Sequence, residues 1–126
     1  MNKKTYAPEG AVIVGPYSPA VEAGDFIFFS GQIPVRPGEC ELVEGDIKIQ
    51  AKQCLQNLSS VLEAAGITQN EIVKTTIYMS DMNDYIAVNE VYAQYFSSPY
   101  PARTAIGVAS LPLGAKIEIE AIAKKK

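Results

Sequence analysis

The sequence predicts an α+β fold in which two helices share one face of a β-sheet and leave the other face open. Three observations predict it. The apolar spacing changes from strand-like to helical after residue 46, and returns to strand-like at Ile72. Only two segments hold a helical stripe, and strand-like segments flank both of them. Two helices are too few to cover both faces of a sheet that wide, so both belong on one face. The uncovered face would be apolar, which predicts assembly with further copies of the chain.

The elements follow in order. Strands are expected near Ala11–Val14 and Phe26–Ser30, with a weaker one near Glu41–Val43. Val35-Arg36-Pro37-Gly38 reads as a turn, because Pro sets φ and Gly accepts positive φ. Ile47, Ala51, Leu55, Leu58, Leu62 and Ala65 recur at steps of three and four and form one apolar stripe. Asp46 can accept from free N–H groups where that helix starts, and Gly66 can end it in a left-handed conformation. Ile72–Met79 is rich in Val, Ile and Thr and reads as a strand. Asp81 or Asn83 can cap a second helix with Tyr85, Val88, Tyr92, Tyr95 and Phe96 on its inner face. Ser97-Ser98-Pro99-Tyr100-Pro101 breaks it. Strands at Arg103–Ala109 and Lys116–Ala123 complete the chain, joined through Leu-Pro-Leu-Gly.

At 126 residues the chain has the size of one domain, and residues 1–126 are read as such. The absence of histidine removes Ser-His-Asp triads, Cys-His pairs and His-bearing zinc sites. Two cysteines cannot build a four-thiolate cage, and no dinucleotide, phosphate-loop or common metal motif is present, so no cofactor is expected. Acid–base work falls to carboxylates, Lys, Tyr, Cys or the backbone. Met1-Asn2-Lys3-Lys4-Thr5 has no apolar stretch behind it and no run approaches a membrane span, which points to the cytoplasm. There Cys40 and Cys54 stay reduced, and Cys54 reads as a small apolar side chain on a helix. The net charge of −3 argues against nucleic acid as a partner. The basic residues gathered at the two ends, Lys3-Lys4 and Lys124-Lys125-Lys126, read as frayed, solvated termini.

The last strand holds the candidate chemistry. Glu118 and Glu120 share one face of it, about 7 Å apart. In a partly closed site, burial and mutual repulsion would raise a carboxyl pKa toward that of a useful general base, though two ordinary surface glutamates fit the periodicity as well. Arg103 leads a strand of small and apolar residues, either as a surface charge or as a fork for a carboxylate. Gly15-Pro16-Tyr17-Ser18-Pro19 is a rigid turn with one aromatic hydroxyl. Ser30-Gly31-Gln32 ends an apolar strand where Gly allows close approach or marks a bulge.

Gly15-Pro16-Tyr17-Ser18, Ser30-Gly31-Gln32-Ile33-Pro34, Leu62-Glu63-Ala64-Ala65-Gly66, Pro101-Ala102-Arg103 and Lys116-Ile117-Glu118-Ile119-Glu120, in this order and spacing, closely resemble the YjgF/Rid family and its RidA branch. The resemblance runs from about Ala7 to Ala123. It implies a chorismate-mutase-like fold with a mixed sheet, and a homotrimer whose three sheets form a central barrel with active sites between subunits. It implies hydrolysis of 2-iminobutanoate and 2-iminopropanoate to 2-oxo acids and ammonia. Arg103 would hold the substrate carboxylate, Glu118 rather than Glu120 would activate water, Tyr17 would line the pocket, and Ser30 and Gly31 would form its wall. Many RidA proteins have Cys where this chain has Ala105, a position that can serve through its backbone. A non-catalytic trimer that binds a small oxo acid, a purely structural oligomer, and a translation inhibitor or endoribonuclease acting on RNA are the competing readings.

Overall fold

The computed structural model describes residues 3–126. Eight elements build it. Strands β1 (Lys4–Tyr6), β2 (Ala20–Ala23) and β3 (Phe26–Gln32) precede helix α1 (Ile47–Ala64). Strand β4 (Ile72–Met79), helix α2 (Tyr85–Tyr95), β5 (Ala102–Gly107) and β6 (Ile117–Lys124) follow. The strands form one six-stranded sheet in the order β1-β2-β3-β6-β4-β5. Only the β4–β5 pair is parallel, because α2 lies between those two strands in the chain and carries the crossover. The mixed sheet and the two helices are those expected.

Helix α1 forms where its apolar stripe predicts. Asp46 caps it, its Oδ1 accepting from the Ile49 N–H at 3.0 Å. The end is closed by Gly66 at φ +76°, which donates to the Glu63 carbonyl. Asp46→Ala should cost about 1 kcal/mol, the usual worth of such a cap. Urea unfolding reads this as a lower midpoint at unchanged slope. The entry to α2 is less direct than expected. Asp81 caps a 3₁₀ turn at Met82–Asp84, and α2 continues from it without a side-chain cap of its own.

Both helices pack against each other and on the same sheet face. Ala51, Cys54, Leu55, Leu58 and Leu62 of α1, with Val88 and Tyr92 of α2, cover Ile27, Phe29, Ile77, Met79, Ile117 and Ile119 of the sheet. Burial gives each large side chain roughly 1.5–3 kcal/mol. Thr75, buried in this layer, shares a 2.8 Å hydrogen bond with the Tyr92 hydroxyl, so neither polar group is left unmet. The opposite face stays open. Phe26 and Phe28 project from it at 42% and 46% exposure, as the count of helices predicts.

The N-terminal third departs from expectation. Ala11–Val14 is an exposed loop, and the strand in this region is β2 instead. Leu42 forms only an isolated bridge to Val35. Arg103–Ala109 is shorter than expected, since β5 ends at Gly107. The basic ends are solvated as expected but only partly frayed: Lys4 lies in β1, Lys124 ends β6, and Lys125 donates its N–H to the Asp25 carbonyl and pairs with Glu22 at 3.3 Å, while Lys3 and Lys126 lie in no element. Met1 and Asn2, at the start read for a leader peptide, lie outside the described residues. No described helix is long and apolar enough to cross a membrane.

Candidate active site

Glu118 projects from β6 onto the open face, because its neighbours Ile117 and Ile119 are buried on the helix face. It stands opposite Tyr78 of β4. Its carboxylate lies over the backbone of Gly31, where a Cβ would come within 2.3 Å of Oε2. That proximity arises from a bulge in β3. Phe29 pairs with Ala121 and Gln32 with Ile119, so Ser30 and Gly31 are the residues displaced. Burial, and then the charge of Glu120, raise the Glu118 carboxyl above its ordinary value. Glu120 on the same face accepts a short hydrogen bond from the Tyr78 hydroxyl. Gly31→Ala should push the Glu118 carboxylate out of its half-buried seat. A carbon-detected titration would then show its pKa moving back toward 4.5.

The expected wall residues gather beside it. The Ser30 hydroxyl donates to the Ser18 carbonyl at 2.6 Å, and the Ser30 N–H donates to the Pro19 carbonyl. Ser30 thus acts as a tie that anchors the turn bearing Tyr17. The Tyr17 ring itself is 51% exposed and packs over Gly15.

Arg103 lies elsewhere. It pairs in register with the buried Thr75, which puts it on the helix face of β5, an edge strand. Its guanidinium donates to Asn89 Oδ1 and to the Tyr85 hydroxyl, both at 2.9 Å. It also sits 4.9 Å from the Tyr92 ring centre and 5.5 Å from that of Tyr85. Among the described residues no carboxylate pairs with it. Ala105, two residues on, shares its face and packs against the core. One chain therefore brings Glu118, Ser30 and Gly31 together and keeps Arg103 on the other side of the sheet.

Asn89 and Tyr85 were not among the residues singled out as chemical. Their spacing of four on α2 was the available signal, since it places an amide beside the expected inner face. Cys54 is buried, with its thiol directed at the Ile117 carbonyl, and burial pushes its pKa up, away from a reactive thiolate. Among the described residues no three His, Cys, Asp or Glu cluster as a metal site. A hollow of about 190 Å³ on the open face is lined by Phe28, Lys74, Thr76, Glu120 and Ile122. A larger one of about 350 Å³, between the end of α1 and Gln69, includes none of Tyr17, Ser30, Gly31, Arg103, Ala105 and Glu118.

Comparison with known proteins places these features in a wider set. Residues 9–125 match the family described as Endoribonuclease L-PSP. A RutC family protein of Pyrococcus horikoshii is 52% identical over 113 residues, covering 90% of each chain. A human protein named 2-iminobutanoate/2-iminopropanoate deaminase is 49% identical over 110 residues, 87% of this chain and 80% of that one. The crystal structure of E. coli TdcF with bound serine superposes with a TM-score of 0.90 at 40% identity, covering 98% of this chain and all of the other.

Proposed function

This chain belongs to the Endoribonuclease L-PSP family, the YjgF/Rid proteins, and on that premise we propose that it hydrolyses 2-imino acids to 2-oxo acids and ammonia. The observation that carries the reading is Arg103. Its guanidinium is fixed by two neutral acceptors and two aromatic faces, and no carboxylate of the described residues neutralises it. A fork so prepared suits the carboxylate that every 2-imino acid presents. The human relative named for 2-iminobutanoate and 2-iminopropanoate supports the choice of substrate.

The reaction asks little of the protein. A C=N carbon is electrophilic and already reacts with water. Glu118 takes a proton from a held water as its oxygen bonds to that carbon, and the C=N electron pair moves to nitrogen, which receives that same proton back from Glu118 to give the carbinolamine. Collapse of the carbinolamine to the ketone then breaks the C–N bond and releases ammonia. A carboxylate with a raised pKa is a better base than an ordinary glutamate, and general-base help typically supplies about 10²–10⁴-fold. Tyr17, Ser30, Gly31 and the backbone at Ala105 line the pocket.

Glu118 and Arg103 occupy opposite sides of one sheet, so a single substrate can touch both only where two copies meet. The open face with Phe26 and Phe28 is the surface on which the copies pack. The assembly proposed is the homotrimer. The test couples a pyridoxal-phosphate threonine dehydratase to this protein and follows 2-oxobutanoate, with semicarbazide trapping the intermediate as a control. Faster 2-oxobutanoate release and less trapped product are expected. An unchanged rate would overturn the enzymatic reading in favour of an oxo-acid-binding protein that uses the same arginine.

A further inference from the structure

The partners of Arg103 share a property that bare positioning does not require: they are neutral. An arginine held against a sheet edge is most simply fixed by Asp or Glu, which would accept the same hydrogen bonds more strongly. Here Asn89 Oδ1 and the Tyr85 hydroxyl do so instead, each at 2.9 Å. The Tyr92 ring face, 4.9 Å from the guanidinium carbon, adds attraction without a formal charge. Tyr92 is in turn locked by its bond to Thr75, and both are buried. Two N–H donors are thus engaged and the side chain is immobilised, while its positive charge and its remaining donors stay available. The nearest carboxylate on α2, Glu90, is turned away to pair with Lys48 of α1.

We propose that Asn89 and Tyr85 are positioning residues whose neutrality keeps Arg103 an unsatisfied cation, so that the site selects small carboxylate ligands. This rests on the reading of Arg103 as the substrate anchor, and it assigns the selectivity for anions to α2 rather than to β5. Asn89→Asp is the sharpest probe. It preserves size, shape and the hydrogen bond, so a purely structural role would leave binding unchanged or strengthen the fold. Acting through charge, the new carboxylate occupies the fork and competes with the ligand.

The experiment measures 2-oxobutanoate binding by calorimetry and, in the coupled assay, kcat and KM separately. For Asn89→Asp the expected result is a dissociation constant and a KM raised about tenfold or more, with kcat little changed. Tyr85→Phe keeps the ring face and loses one acceptor, and should weaken binding less than Asn89→Asp does. Wild-type binding by Asn89→Asp, or no 2-oxobutanoate binding by the unaltered protein, would overturn the proposal. Should Asn89→Asp not fold, wild-type affinity in Tyr85→Phe would overturn it instead. Binding that depends on Asn89 without any turnover would support the proposal while refuting hydrolysis, so the two readings fail separately.

Discussion

Arg103→Ala is expected to lower kcat/KM for 2-iminobutanoate by about thirtyfold to a few thousandfold while the protein stays folded. Truncating one partner of a hydrogen-bonded charge pair costs about 2–5 kcal/mol. At about 1.4 kcal/mol per factor of ten, the loss is large enough to remove measurable acceleration at low substrate. The fold should tolerate the change. Arg103 is half-buried on an edge strand, and what disappears are its contacts with Tyr85 and Tyr92 and two hydrogen bonds to groups near solvent. A cation–π contact of this kind is worth about 0.5–2 kcal/mol. Arg103→Lys keeps the charge but loses the fork and cannot reach both Asn89 and Tyr85 in one plane, so it should recover only part of the rate. A folded Arg103→Ala protein that retained the original kcat/KM would refute the anchor.

Glu118→Gln is expected to abolish most of the chemical step, by about 10²–10⁴-fold in kcat, without loss of stability. Two measurements separate these effects. Because burial and Glu120 raise the Glu118 pKa, the carboxyl stays protonated to a higher pH than an ordinary glutamate. As the base it works only when ionised, so wild-type activity should fall as pH drops through a value above 4.5, and the variant should lack that limb. The linkage to folding runs the other way. A carboxyl whose pKa is higher in the folded state binds its proton more tightly there. Its favourable contribution is full below the unfolded pKa and lost as pH rises through the folded one. Ionised Glu118 therefore burdens the fold at neutral pH, and Glu118→Gln should melt at or above the wild-type temperature at pH 7. That advantage should vanish in acid. A variant markedly less stable at pH 7, or one as active as the wild type, would contradict this account of the residue.

Much of the fold is written in the order of the residues. The stripe from Ile47 to Leu62 has no strand reading, and Asp46 and Gly66 bound it with the right chemistry at each end. The alternation in Ile117–Ala123 is equally unambiguous, and it alone puts Glu118 and Glu120 on the face opposite the core. The open face followed from counting helices, but it is not uniformly apolar: Glu118, Glu120 and Lys74 share it with Phe26, Phe28 and Ile122. Strands β1 and β2 carry no sequence signal, because Lys4–Tyr6 and Ala20–Ala23 are too short to show a period. The more apolar Ala11–Val14 drew the assignment instead, although its side chains are exposed in the chain.

The long elements and the side of the sheet from which Glu118 projects are therefore legible in the amino-acid pattern alone. Both depend on local periodicity, and periodicity is written in consecutive residues. Tertiary structure decided the rest. The bulge that sets Gly31 beneath Glu118 exists only in the pairing of β3 with β6. The face taken by Arg103 is set by its register with Thr75 across a parallel pair. In Arg103–Gly107 the alternation misleads, since Ile106 is exposed and the arginine turns inward to Asn89 and Tyr85. An edge strand has one neighbour, so its own hydrophobic pattern constrains it weakly and the hydrogen-bond register decides which side chains meet.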